Sequence, residues 1–505
     1  MSDRWVTLDF PEEGLRVKAQ TGGSLLEIIR REGLPIAADC GGGGRCGKCG
    51  VWLNGTKALA CQTAVTDDMR VVMPRRGGEM DILGDYSGAA ADSATDPAAD
   101  ADPDAFGVAV DIGTTTVVVR ALRLKDGQTL ATRAFVNGQR PYGADVISRI
   151  GHASENAGEL SAIIRKQVDE AVRDICEAEN LPRDKAARAV VAGNTTMLYL
   201  LLGLRCKSLG SAPFEPEFSI ESSYPYPALF GIGTLDCACL IPPFLSAYVG
   251  ADITAGLIHC GDDDDFLLVD MGTNGEMAMR TGGRLCSTST AAGPAFEGGG
   301  ISQGMSGIRG AIRSVRLDAG GGFACEVIGD APPAGICGSG ILDAVACLCE
   351  GGYVDETGAM EQEFREEGVL LAGNAETGQQ IRFTQKDVRE FQLAKSAIRL
   401  GIEVLMRETG TEGKPFVPST VYLAGGFGHA LNVESAFRIG LLPEIFRGKV
   451  VLAGNSALGG CVKLCRRPGL MELTRRFADG GREINLASHP DFQDLFMDHM
   501  MLEPS

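Results

Sequence analysis

One hairpin occurs twice in this chain, and the repetition limits the fold more than any other feature. Phe106-Gly107-Val108-Ala109-Val110 is an apolar strand that runs into Asp111-Ile112-Gly113-Thr114-Thr115-Thr116, after which Val117-Val118-Val119 begins a return strand. About 160 residues later, Phe266-Leu267-Leu268-Val269 runs into Asp270-Met271-Gly272-Thr273-Asn274-Gly275-Glu276. The turn glycines Gly113, Gly272 and Gly275 let backbone N–H groups approach phosphate oxygens. The hydroxyls of Thr114, Thr115, Thr116 and Thr273 add donors, with Asn274 in the same turn. Asp111 and Asp270 have the chemistry to hold a hydrated Mg²⁺. A single Asp-x-Gly-Thr turn is ordinary. Two copies, each following a buried strand, predict two similar lobes closing on ATP.

A third glycine turn belongs with this pair. Val421-Tyr422-Leu423-Ala424 reads as a strand entering Gly425-Gly426-Phe427-Gly428, where a backbone without side chains can lie flat against an adenosine. Upstream, Phe391 to Arg399 has helical patterning, with Gln392, Lys395 and Arg399 on one face. Nucleotide contact and a solvated polar face are both open for that face. The small residues from Gly454 to Gly460 predict a helix start that permits close packing between lobes. Glu276 and Glu297 stand in glycine-rich surroundings and are candidates for positioning the attacking water, with turn or capping roles equally open.

Residues 84–105 hold six Asp and eight Ala but no Lys or Arg. Such a stretch buries too little apolar area to offset its ordering entropy and is predicted to be a flexible tether. At 22 residues it spans about 25 Å r.m.s.. The expected organisation is a first unit over 1–83, the tether over 84–105, one lobe over 106–260 and a second over 261–505. The net charge of −19 argues against nucleic acid as a main partner. No apolar run reaches the ~18 residues of a membrane span, and the N-terminus lacks the layout of a secretion signal. The expected location is therefore cytoplasmic, where most of the 16 cysteines would be thiols, metal ligands or core residues.

Four cysteines stand apart from the rest. In the first unit Cys40 is followed by four glycines, then Cys46, Cys49 and, beyond a predicted strand from Val51, Cys61. The spacing is C-x5-C-x2-C-x11-C. Three thiolates on a glycine loop suit a small iron–sulfur cluster, because glycines can wrap tightly and aim N–H groups at sulfide. A zinc site would more often show two paired C-x2-C knuckles, and only one is present. Cys337, Cys347 and Cys349 lack companions for a second cluster and are expected to be small buried thiols.

The first unit resembles 2Fe–2S ferredoxins of the β-grasp fold, with the first gap as in the adrenodoxin-like branch and a shorter last gap, which leaves Cys61 the least secure ligand. The second unit resembles the acetate and sugar kinase, Hsp70 and actin superfamily. In that likeness Asp111–Thr116 and Asp270–Glu276 are the two phosphate motifs, and Leu423–Gly428 is the adenosine motif. Pro243–Asp252 and Gly454–Gly460 are the connecting segments. The implied fold is an α+β ferredoxin domain plus an α/β two-lobed domain. Together with Val191–Met197, Ala292–Gly298 and Gly335–Asp343, the whole chain resembles the reductive activators of corrinoid-dependent enzymes.

That resemblance implies an ATP-dependent electron transfer from a 2Fe–2S cluster to the cob(II)alamin of a corrinoid protein, regenerating cob(I)alamin. The implied partners are a corrinoid protein of a methyltransferase or acetyl-CoA-pathway system and an upstream low-potential electron donor. Larger members have an extra domain after the ferredoxin, which the direct run from tether to phosphate strand implies is missing here. A redox-sensing small-molecule kinase is the alternative function. Oligomeric state, a homodimer included, is left open.

Overall fold

The computed structural model describes residues 4–504 except 33, 35, 37–41, 45–48, 74–101, 144, 221, 232–233, 262–263, 319, 375–377, 412 and 426–430, and the side chains of 154–156. Cys40, Cys46, Gly426 and most of the expected tether therefore lie outside the described residues.

The first unit is a five-stranded sheet in the order β2-β1-β5-β3-β4, from β1 (Trp5–Phe10), β2 (Leu15–Gln20), β3 (Gly50–Leu53), β4 (Thr56–Leu59) and β5 (Met69–Val72). β1 and β5 pair in parallel, whereas β1–β2 and β3–β4 are antiparallel. Helix α1 (Leu25–Arg31) closes the core with Leu25, Leu26, Ile28 and Ile29 against Val6, Leu8 and Phe10. This is the β-grasp ferredoxin fold.

The tether was expected to run to Ala105, but its end is fixed. Asp102 pairs with Lys185 at 2.7 Å, and the Ala105 carbonyl accepts from the Leu124 N–H. Ala105 is packed into the lobe core, so its apolar methyl is already accounted for by burial.

Two six-stranded sheets follow. The first has the order β10-β11-β9-β6-β7-β8, built from β6 (Phe106–Ile112), β7 (Thr116–Arg123), β8 (Thr129–Val136), β9 (Ala186–Gly193), β10 (Ser223–Pro225) and β11 (Ala238–Leu240). The second contains β12 (Asp265–Met271), β13 (Gly275–Thr281) and β14 (Arg284–Thr290). Smaller sheets hold β15 (Ala311–Leu317), β16 (Phe323–Val327), β17 (Gly335–Ile336), β18 (Val369–Gly373) and β19 (Gln380–Phe383). Then β20 (Thr420–Ala424), β21 (Val450–Gly454) and β22 (Gly481–Glu483) complete the second large sheet as β21-β20-β12-β13-β14-β22. In each large sheet an antiparallel meander (β6-β7-β8, β12-β13-β14) joins parallel strands, so the two lobes repeat one plan.

Burial explains why β12 is apolar on both faces. Phe266 and Leu268 enter the core shared with the first lobe, whereas Leu267 and Val269 enter a separate second-lobe core. The helices that serve these sheets are α2 (Val146–Ala178), α3 (Thr195–Leu202), α4 (Ala251–Cys260), α5 (Gly338–Glu350), α6 (Gln385–Thr409), α7 (Ser456–Arg466) and α8 (Phe492–Asp498).

Helix α7 crosses between lobes, and α4 packs along it. Helix α7 leaves β21 of the second sheet, yet its Cys461 and Cys465 thiols point at the Val110 and Val108 carbonyls of β6 in the first. Helix α4 lies along α7 so tightly that a Cβ on Gly460 would stand 1.9 Å from the Ala255 carbonyl oxygen. A Cβ on Gly256 would stand 2.9 Å from Ser456 Oγ. Here the small residues expected from Gly454 to Gly460 have their reason.

Candidate functional site

The first sheet unit brings two of the four expected cluster cysteines together. The β3–β4 hairpin returns the chain so that the Ala60 N–H donates to the Cys49 carbonyl, and Cys49 Sγ stands 3.2 Å from Cys61 Sγ. That separation is far longer than a disulfide and places two thiols where one iron can take both. The glycine loop lies against this pair. Gly42 has φ +102° and Gly44 φ +72°, and a Cβ on Gly44 would stand 2.5 Å from Gln62 Nε2. Both backbones lie in the left-handed region that glycine adopts without strain, which suits a tight cradle. The other described cysteines are packing residues. Cys337, for one, is 5% exposed, with its thiol directed at the Ile312 carbonyl.

The second site lies where the two repeated hairpins meet. In the first, the Gly113 N–H donates to the Thr116 carbonyl, and any Cβ on Gly113 would stand 2.6 Å from that oxygen. Asn194, the N-cap of α3, donates to Thr114 Oγ1 at 3.0 Å, and Asn137 donates to the Gly113 carbonyl at 2.9 Å. In the second, the Gly272 N–H donates to the Asn274 carbonyl. Thr115 Oγ1 and Thr273 Oγ1 both donate to Glu297 Oε2, at 3.0 and 2.7 Å. One carboxylate oxygen therefore gathers a hydroxyl from each lobe.

Behind the hairpins stand four carboxyl groups. Asp111 is the last residue but one of β6. Asp270 is the last but one of β12 and faces Glu276 directly across the β12–β13 pair. Asp252 lies in the first turn of α4 and shares a hydrogen bond with Glu276. Their other partners are neutral: Asn455 donates to Asp111 Oδ2 at 2.6 Å, and the Ser456 hydroxyl faces Asp270 Oδ2 at 3.5 Å. Burial, and then the neighbouring carboxylates, push Asp252 up to about 7 and Asp270 up to about 8. Burial pushes Asp111 up to about 6, against the pull of Asn455, and Glu276 rises well above the usual carboxylate range. Like charges in a dry site cannot all ionise, so such a cluster holds protons or takes a cation. Among the described residues no three carboxylates, thiols or imidazoles are grouped to bind a metal directly. A Mg²⁺ that keeps most of its water needs only one or two of them, so the donor set fits that ion.

Several expectations change here. Gln392 and Lys395 are not presented to this cleft. Gln392 Nε2 donates to the Thr357 and Met500 carbonyls, and Lys395 Nζ donates to those of His499 and Met501. Arg399 is 7% exposed beside Glu403. Their face of α6 is neither solvated nor open to a nucleotide, because it holds down the C-terminal segment. Gly425, with φ +122°, is required by a neighbouring strand, since a Cβ there would stand 2.4 Å from the Met271 carbonyl oxygen. Sequence reasoning assigned no role to Asp252 or Asn455. The signal for both was position, at the end of one connecting segment and inside the other.

Fold and sites define a class: an ASKHA-type two-lobed domain joined to a 2Fe–2S ferredoxin domain. Known proteins bear this out. Residues 10–70 match the profile of the 2Fe-2S iron-sulfur cluster binding domain, 106–264 that of the RACo middle region, and 264–505 that of the C-terminal ASKHA domain of RACo. The chain is 34% identical over 425 residues to the corrinoid activation enzyme RamQ of Eubacterium limosum, covering 78% of this chain and 70% of that one. It is 26% identical to the [Co(II) methylated amine-specific corrinoid protein] reductase of Methanosarcina barkeri, covering 70% and 68%. The solved structure of a reductive activator for corrinoid, iron–sulfur protein superposes with a TM-score of 0.72 at 27% identity, over 98% of both chains. The chain belongs to the family of corrinoid reductive activators. The middle-region profile falls on the span that forms the first large sheet. No helix among the described residues is long and apolar enough to cross a membrane.

Proposed function

We propose that this protein uses ATP to transfer an electron from a 2Fe–2S cluster held by Cys40, Cys46, Cys49 and Cys61 to the cobalt of a corrinoid protein. The cobalt goes from cob(II)alamin to cob(I)alamin, ready for methyl transfer, while the cluster loses one electron. The observation that carries the ATP part is the convergence of Thr115 and Thr273, one from each lobe, on Glu297 above four buried carboxyl groups. A cluster of ferredoxin type supplies an electron at about −400 mV, a poor driving force toward a more negative couple. Closure of the lobes on Mg-ATP supplies what is lacking.

Within the cleft, the Gly113–Thr116 and Gly272–Gly275 turns receive the phosphates through the N–H groups of Thr114, Thr115, Thr273 and Asn274, while the Gly113 and Gly272 N–H groups hold the turns closed. Asp111 and Asp270 would hold a hydrated Mg²⁺, which would offset charge on the phosphates, and Glu276 with Asp252 keeps that carboxylate set in place. Glu297 is the carboxylate best placed to take a proton from the attacking water. Gly425 and Gly426 belong to the adenosine end of the cleft. The proposed division is a ferredoxin domain over 1–83, a tether, and lobes over 106–260 and 261–505, in a cytoplasmic protein that draws electrons from an upstream low-potential donor.

The test is to mix the reduced protein, Mg-ATP and a cob(II)alamin-loaded corrinoid protein and to follow the cob(I) absorption band. Cys46→Ser should abolish the band and Asp270→Ala its dependence on ATP. Full reduction by both variants would refute the assignment. ATP consumption stimulated by a small molecule in the absence of any corrinoid protein would place the chain among kinases instead.

A further inference from the structure

The first phosphate hairpin is tied to a surface outside the cleft. Arg149, in the first turn of α2, is fully buried. Its Nε donates to the Gly143 carbonyl at 2.8 Å, and its Nη2 donates to the Thr114 carbonyl inside the hairpin. The turn Arg140–Gly143 is therefore held from within by a side chain that also holds the phosphate loop.

The ferredoxin domain grips the same turn from the other side. Arg30, near the end of α1, donates from Nη2 to the Pro141 carbonyl, and its guanidinium lies 5.0 Å from the centroid of the Tyr142 ring. Its side chain is only 3% exposed and also pairs with Glu27 at 2.6 Å. Tyr142 is fixed in turn, with its hydroxyl donating to Glu159 Oε1 at 3.0 Å and its ring 4.7 Å from that of His152. Two arginines, one from each domain, thus clamp one turn, and the inner one reaches Thr114.

We infer that the Arg140–Gly143 turn is the docking seat of the chain's own ferredoxin domain and couples that docking to nucleotide binding at the Asp111–Thr116 hairpin. The inference rests on the ATP reading given above. With Arg30 seated, the Pro141 and Gly143 carbonyls are fixed, Arg149 is fixed by Gly143, and the Thr114 carbonyl is fixed by Arg149. The hairpin N–H groups are then already oriented for phosphate. With Arg30 withdrawn, the turn is released and the hairpin must be ordered at the moment of binding. Docking and nucleotide binding therefore favour each other, and linkage makes the two effects equal in factor. The position of the electron donor is thereby tied to the state of the ATP site.

The experiment uses the full chain with its cluster assembled, with the cluster absorption and far-UV spectrum as folding controls. Arg30→Ala, Tyr142→Leu and the double variant are titrated with the Mg²⁺ complex of a non-hydrolysable ATP analogue. Hydrogen exchange of residues 25–31 is followed with and without the analogue. Each single variant should raise the dissociation constant roughly fivefold or more. The double variant should be no weaker than the singles, because both remove one contact. The protection that the analogue confers on residues 25–31 should vanish in all three. Should Tyr142→Leu fail to fold, Arg30→Ala, on the ferredoxin side, gives the same measurement. Wild-type affinity in Arg30→Ala, or exchange of 25–31 that ignores the analogue, overturns the coupling alone. A wild-type chain that binds no analogue overturns the ATP reading and the coupling with it.

Discussion

The two phosphate hairpins share a sequence plan but differ in what stands behind them. The first is wired outward: Asn194 and Arg149 hold Thr114, Asn137 holds Gly113, and its carboxylate Asp111 has the strong donor Asn455 at 2.6 Å. The second is wired inward. Among the described residues Asp270 has only the Ser456 hydroxyl at 3.5 Å as a donor and lies with Glu276 and Asp252, so its carboxyl rises to about 8 where Asp111 rises to about 6. The lesson is that duplicated motifs divide labour through their neighbours. The first hairpin is stiffened by amides and a guanidinium, whereas the second is a concentration of unneutralised acid that a cation relieves.

The hardest test of this contrast removes its charge. Asp270→Ala should lower ATP hydrolysis on the order of 10²-fold, and Asp111→Ala should lower it less, since Asn455 is left to bind a replacement water. Equal losses, measured by single-turnover phosphate release, would erase the distinction. Next come the two hydroxyls on Glu297. Thr273→Ala and Thr115→Ala should each weaken nucleotide binding about tenfold, and the pair should not add, because they share one oxygen. Calorimetric titration gives both numbers.

A smaller effect concerns pH. Folded values of about 6, 7 and 8 for Asp111, Asp252 and Asp270 lie above the ordinary carboxylate value of about 4. The folded chain then binds more protons than the unfolded one between about pH 4 and 8, so these groups make stability fall as pH rises through that window. Without Mg²⁺ the melting temperature should drop across it by a few degrees, and Asp270→Asn should flatten the drop. Mg²⁺ should flatten it too, and a chelator should restore it. The least effect on the cleft is expected from Lys395→Met, which should leave nucleotide affinity within about twofold while lowering the melting temperature by a few degrees, through the lost bonds to His499 and Met501. A large loss of affinity would bring the Gln392–Lys395 face back into the site.

Local pattern revealed the elements that are local. Strand β6, both hairpins, the thiol spacing and the small residues of α7 each declare themselves within a few positions, because the backbone requirement and the residue that meets it are adjacent. Asp252 and Asn455 are different. Each is an ordinary acid or amide in sequence and becomes part of the cleft only when α4 and α7 pack together at the junction of the lobes. Gln392 and Lys395 mislead for the converse reason: a polar helical stripe is indifferent to whether a nucleotide or the chain's own carbonyls meet its donors, and here residues about a hundred positions away do so. Glu297 was visible as an acid among glycines, but its reach to both Thr115 and Thr273 is a property of the assembled pair of lobes.

The passage of α7 into the first lobe has a consequence for folding. Helix α7, which follows β21 of the second sheet, puts Leu458, Cys461 and Cys465 into the first-lobe core, and β12 adds Phe266 and Leu268, so the first lobe cannot complete its interior before the second is present. The lobes should melt together, in one transition, with no half-folded species of appreciable lifetime. The ferredoxin domain, reached through a segment rich in Ala and Asp and owning a separate core, should melt on its own schedule. The protein is in this sense two cooperative bodies, although its chain reads as three.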